Sequence, residues 1–117
     1  KGQYIKSAEL FKNLLRLDPP HSLIDNILFG LSMSYFKVKQ YSKAIEPLSR
    51  IKKEYTNSDK WYMSHVMLAL VHEIKGDKSQ AIYVLEHGLK NDPPYFIRSV
   101  INNLINLVQD ESVQTEK

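Results

Sequence analysis

Four histidines, His21, His65, His72 and His87, are the residues of this chain best suited by type to hold a metal or move a proton. His65 and His72 lie seven apart in a stretch with helical spacing, so their side chains point the same way, about 10 Å apart along the axis. That is too far to share one metal without a bridging ligand. His72-Glu73 lacks the second histidine of an HExxH motif, and the chain has no cysteine for a thiolate zinc site, a CxxC pair or a disulfide. Neither a glycine-rich phosphate loop nor a GxSxG elbow occurs. The reading preferred for the histidines is packing, as partly buried rings where helices meet. No catalytic, metal-binding or cofactor-binding residue is expected, and the chain is read as non-enzymatic.

Lys37, Lys39 and Lys43, interleaved with Tyr35 and Tyr41, resemble in type a basic-aromatic patch for single-stranded nucleic acid. They straddle a helical turn, where lysine is favoured beside the C-terminus of the preceding helix by the helix dipole alone. That account is preferred, and no nucleic-acid partner is expected. The whole-chain charge agrees: 16 Lys+Arg against 13 Asp+Glu give +3, spread along the chain and without a dense basic run. Lysine far outnumbers arginine, and isoleucine and asparagine are plentiful, a composition that fits an AT-rich bacterial genome. No apolar run reaches the ~18 residues of a membrane span. The chain opens at Lys1, which fits a processed or excised piece, and no signal peptide is visible.

The elements that would position these residues follow from a repeat. Tyr4, Tyr41 and Lys78 are spaced by 37 positions, as are Ser7, Ala44 and Ala81, and Phe11, Leu48 and Leu85. The same step relates Gly2, Lys39 and Gly76, then Leu14, Ile51 and Gly88, then Pro19, Thr56 and Pro93. A turn residue, an aromatic, a small residue three later and a large apolar residue four after that describe two helices packed around a tight turn. The helices preceding each turn show the same step, because Ile24, Leu28, Leu31 and Tyr35 lie 37 before Trp61, His65, Leu68 and His72. Ser58 is read as an N-cap, and Asp77 with Gln80 approximates a capping box. Asp92-Pro93-Pro94 repeats Asp18-Pro19-Pro20, with proline stopping one helix and opening the next.

The spacing predicts an all-α chain of about six helices, over 3–17, 22–37, 41–54, 59–75, 78–91 and 95–109. They group as a half repeat (1–19), two repeats (22–57 and 59–94) and a capping helix (95–109), one domain over 1–109. A polar tail (110–117) is expected to fray.

This pattern resembles the tetratricopeptide repeat (TPR). Gly2, Tyr4, Ser7, Phe11 and Pro19 fit its second half; Leu28, Leu31, Ser32, Tyr35, Tyr41, Ala44 and Leu48 make the fullest match; Leu68, Ala69, Gly76, Ala81, Leu85 and Pro93 make a third. Ser7 stands where alanine would be, Lys39 where the turn glycine would be, Thr56 where proline would be and Lys78 where an aromatic would be. The period exceeds the usual ~34 residues. Together with the segment from Glu54 to Ser58, it is similar to that of bacterial cell-envelope members, such as the accessory protein of the Tol–Pal system and the lipoprotein of outer-membrane β-barrel assembly.

The resemblance implies a right-handed superhelical solenoid of antiparallel helix hairpins and a role as a protein-binding scaffold or assembly factor, in the bacterial periplasm or cell envelope. It implies a concave groove lined by Asn26, Phe29, Met33, Phe36 and Lys37 from one repeat and Met63, Val66, Met67 and Leu70 from the next. Methionines among aromatics suit a groove that accepts an apolar segment of another protein. The other reading of these residues is that the protein's own cap helix covers them. Self-association as a homodimer and service as the accessory part of a larger enzyme are the alternative functions.

Overall fold

The computed structural model describes residues 2–116, with side chains described for 2–110. Among them lie six α-helices and no strand: α1 (Gly2–Arg16), α2 (His21–Lys37), α3 (Tyr41–Glu54), α4 (Trp61–Ile74), α5 (Lys78–Leu89) and α6 (Tyr95–Glu116). The chain forms two compact units, Lys1–Ser64 and His65–Lys117, and the division falls inside α4.

In the first unit α2 packs against both α1 and α3. Leu28 and Ile51 are fully buried and Tyr55 nearly so; Leu15, Ile24 and Phe29 pack around them. Each aliphatic side chain removed from water here contributes about 1.5–3 kcal/mol. The α1–α2 contact depends on Gly30: a Cβ there would stand 2.6 Å from Phe11 Cζ. The ring of Phe11 thus occupies space that any other residue in mid-α2 would fill. Ser32 and Ser34, both buried, return their hydroxyls to the carbonyls of Phe29 and Gly30 at 2.7 and 2.9 Å, so neither leaves a polar group unsatisfied. Helix α3 carries Pro47 in its interior, fully buried, where its ring replaces a backbone donor with apolar volume.

In the second unit α5 packs against α6. Val71, Ala81, Leu85 and Ile101 are fully buried. Of the small residues expected to let helices approach, Ala44 and Ala81 are completely buried, with Leu48 and Leu85 beside them in sequence register, whereas Ser7 is half-buried.

The turns repeat as the residues do. Lys39 N–H donates to Phe36 O (3.0 Å) and Gln40 N–H to Tyr35 O (2.9 Å); 37 residues on, Gly76 N–H donates to Glu73 O (3.0 Å) and Asp77 N–H to His72 O (2.8 Å). Both are Schellman-type helix ends, which require a left-handed residue. Lys39 takes φ 63° and Gly76 φ 84°. A second pair behaves alike, since Asp18 (φ 53°) and Asp92 (φ 55°) end α1 and α5 ahead of Pro-Pro, with matching bonds to Leu15 O and Leu89 O. Aspartate tolerates this conformation better than most residues.

Several helix ends differ from expectation by a residue or two, but α6 differs by more. It continues to Glu116, where the sequence suggested an end near 109 and a frayed tail. No proline or glycine interrupts residues 95–116, so nothing stops the ladder. Lys117 lies outside the described residues.

Candidate functional site

The α2 residues expected to face a partner recur at 26, 29, 33 and 36–37, a spacing that keeps them along one side of the helix. Asn26 and Lys37 are exposed; Met33 and Phe36 are half-buried. Phe36 meets Tyr41 edge-on at 5.1 Å between ring centroids. Phe29 is half-buried as well, but it belongs partly to the core, packing against the Leu28–Ile51–Tyr55 cluster. The Lys60 ammonium lies 5.7 Å from its ring centroid, within cation–π range. Met63, in the same unit, is half-buried.

On the α4 segment of the second unit the expected residues diverge. Val66 and Met67 are buried, at 4% and 8% exposure, and offer little surface to a partner. Leu70 is half-buried and lines a cavity of about 140 Å³ with Glu73 of α4, Leu85 of α5, and Leu104, Leu107 and Val108 of α6. Glu73 is the charged group among the described lining residues. Its Oε1 accepts from Lys78 Nζ at 2.7 Å, while its Oε2 is buried without a hydrogen-bond partner.

The histidines resolve into separate environments. His65 is fully buried, and its Nε2 lies 3.1 Å from Nδ1 of His87, with the rings stacked at 5.3 Å and 13° apart. One nitrogen must donate and the other accept, so the tautomers of the two rings are linked. Gly88 lies directly against this pair: a Cβ there would stand 3.4 Å from His65 Cβ and Cγ, an ordinary van der Waals contact. His72 is half-buried, and exposed His21 packs its ring against Tyr55 at 5.1 Å. The pairing of His65 with His87 was not anticipated, because the 37-residue step relates neither histidine to the other. Among the described residues no group of three or more His, Cys, Asp or Glu side chains could hold a metal ion.

The α2–α3 turn places Lys43 Nζ 5.9 Å from the Tyr35 ring centroid, a cation–π contact at the outer limit of its range. On α1, Lys12 Nζ pairs with Glu9 at 3.0 Å, and that hydrogen bond is the main reason the Lys12 pKa is raised above its ordinary value. At the entry to α4, Ser58 Oγ donates to Asp25 and accepts from Lys60 N–H at 2.9 Å, while Trp61 Nε1 donates to Lys52 O at 3.0 Å. These bonds fasten the α3–α4 connection to α2 and α3. Asp77 caps α5 as expected, its carboxylate accepting from Gln80 N–H at 3.1 Å.

No family model matches this chain, and comparison with curated proteins finds no match. Among the described residues no helix is long and apolar enough to cross a membrane.

Proposed function

We propose that the chain is a tetratricopeptide-like solenoid, right-handed and built of helix hairpins, that acts as a non-catalytic scaffold or assembly factor by binding another protein. The observation carrying this reading is the recurrence, at the 37-residue step, of the same left-handed turn with the same two hydrogen bonds at Lys39 and Gly76. A backbone repeat of that kind accompanies hairpins that stack, and stacked hairpins present their first helices to a partner. On α2 that face carries Asn26, Met33, Phe36 and Lys37, which combine an apolar strip with polar ends. The long period and the Glu54–Ser58 segment support a place among the bacterial cell-envelope members of the family, and hence the periplasm.

The test uses exposed positions, so that folding is spared. Wild-type protein and the Asn26→Glu, Lys37→Glu double variant are each used to capture proteins from an extract of the native cell, with helicity checked by circular dichroism. A protein held by the wild type and lost by the folded variant supports the reading. Equal retention by both removes α2 as the binding face. Self-association is favoured by a different observation, the exposure of Ile5 (48%) and Leu10 (58%) on α1. Light scattering over a concentration series separates the two, since a strict monomer excludes it.

A further inference from the structure

Helices α1 and α6 each carry a row of exposed residues along one side. On α1 the row is Lys6, Leu10 and Asn13, continued by Leu17 just past the helix end. On α6 it is Phe96, Asn103, Leu107 and Asp110, with half-buried Val100 among them. Steps of three, four and seven keep each row on one face. The large apolar members stand well out in water: Leu10 is 58% exposed, Leu17 76%, Phe96 73% and Leu107 58%. At the 37-residue step Pro47 and Val84 take the place of Leu10, and both are buried. The face that α1 leaves open is therefore one that α3 and α5 cover.

Charge and order together say what fits these faces. Helix α1 carries Lys6, Lys12 and Arg16 and one carboxylate, Glu9, which pairs with Lys12 at 3.0 Å. Helix α6 is the opposite: its cation, Arg98, pairs with Asp92 at 2.6 Å, while Asp110, Glu111 and Glu116 gather toward its C-terminal end. Two copies of α1 laid together would set cation against cation, and two of α6 acid against acid. Laid antiparallel, α1 and α6 bring opposite charges together and oppose their dipoles. The rows then match in order, with Lys6 opposite Asp110, Leu10 opposite Leu107, Asn13 opposite Asn103 and Leu17 opposite Val100. Lys6 to Leu17 rises about 16 Å and Asp110 to Val100 about 15 Å, so the pairing stays in step. Phe96 lies one turn further, beside Leu17. The two amides can each donate and accept. A parallel arrangement would put Lys6 on Phe96 and Leu17 on Asp110.

We infer that α1 of one copy of this chain packs antiparallel against α6 of another, so that copies associate head to tail. The inference rests on the self-association reading and names its two faces; it leaves the α2 face of the scaffold reading untouched. Because the two faces differ, the contact is heterologous, and association continues past two copies unless a ring closes. One helix pair is a small interface, so the association is weak and concentration-dependent.

Sedimentation velocity on the full chain, over about a hundredfold range of concentration, reads the outcome. The wild type should form species larger than a dimer. Leu10→Glu blocks α1 and Leu107→Glu blocks α6; both leucines are more than half exposed, so folding is spared, and circular dichroism checks it. Each variant alone should be monomeric, because its intact face meets only blocked ones. Mixed in equal amounts, the two should form a heterodimer and nothing larger. The inference is overturned if the wild type is a strict monomer, if either variant alone associates as the wild type does, or if the mixture stays monomeric. Should a variant fold poorly, the exposed charges decide: Lys6→Glu should weaken association about two- to fivefold, and adding Asp110→Lys to the same chain should restore it. No loss, or no restoration, overturns the inference. Association that survives in one blocked variant removes this interface and leaves self-association through a symmetric contact; a strict monomer removes both and leaves the scaffold reading standing.

Discussion

Replacing Gly76 with alanine isolates the cost of a left-handed backbone. Gly76 sits at φ 84°, and a Cβ built on it meets nothing within 4 Å, so the substitution creates no clash with the rest of the protein. What remains is the local penalty of an L side chain in that region, about 1–2 kcal/mol, beyond any entropy the alanine removes from the unfolded chain. Net destabilisation of about 1 kcal/mol is expected. The mirror experiment is Lys39→Gly, where a lysine already bears that penalty at φ 63°. Relief of about 1–2 kcal/mol is offset by about 0.4–1 kcal/mol of added unfolded-state entropy, giving a gain of roughly 0.5–1 kcal/mol. Urea unfolding followed at 222 nm measures both, in salt high enough to screen the attraction of Lys39 for the end of α2. A neutral Gly76→Ala, or a Lys39→Gly that destabilises, would refute the claim that the two turns share one strained geometry.

Gly30→Ala should destabilise by about 1 kcal/mol, because overpacking against Phe11 (about 1–3 kcal/mol) outweighs the gain in helix propensity of about 1 kcal/mol; in a Phe11→Leu background the same change should become neutral or favourable, which a double-mutant cycle of unfolding free energies reads directly. Asp77→Ala removes the acceptor for Gln80 N–H and should cost about 1 kcal/mol, measured by the same unfolding assay. Glu9→Gln should bring the Lys12 pKa back down toward its ordinary value, followed by the Lys12 ¹³Cε shift through an alkaline titration. Because that pKa is raised by folding, the ion pair stabilises below the unfolded-state value and its contribution fades as pH climbs through the folded-state one. No comparable fade should occur in Glu9→Gln.

The sequence made the hinges legible and the chemistry much less so. A 37-residue step in residue type located the helix ends, and it extends to backbone geometry even where the residue type departs from the pattern. Lys39 adopts the left-handed turn that Gly76 adopts with less strain. Periodicity gave less on α4, where Ser64, His65, Val66, Met67, Leu68 and Ala69 are consecutive and all buried. A helix apolar on every side carries no polar face to orient it, so its register could not tell the buried Val66 and Met67 from the half-buried Leu70. The His65–His87 stack and the unpaired Glu73 Oε2 were hidden for another reason: each depends on which side chains meet across helices, and a step that maps one repeat onto the next does not encode such meetings. Leu28 and Tyr35 stand at the positions of His65 and His72, and Ile51 at that of Gly88, so the backbone plan recurs while the groups it brings together change. Where partner selection depends on side chains, it therefore has to be sought in what differs between the repeats, and Glu73, with Phe36 at the equivalent position of the preceding repeat, is one such difference.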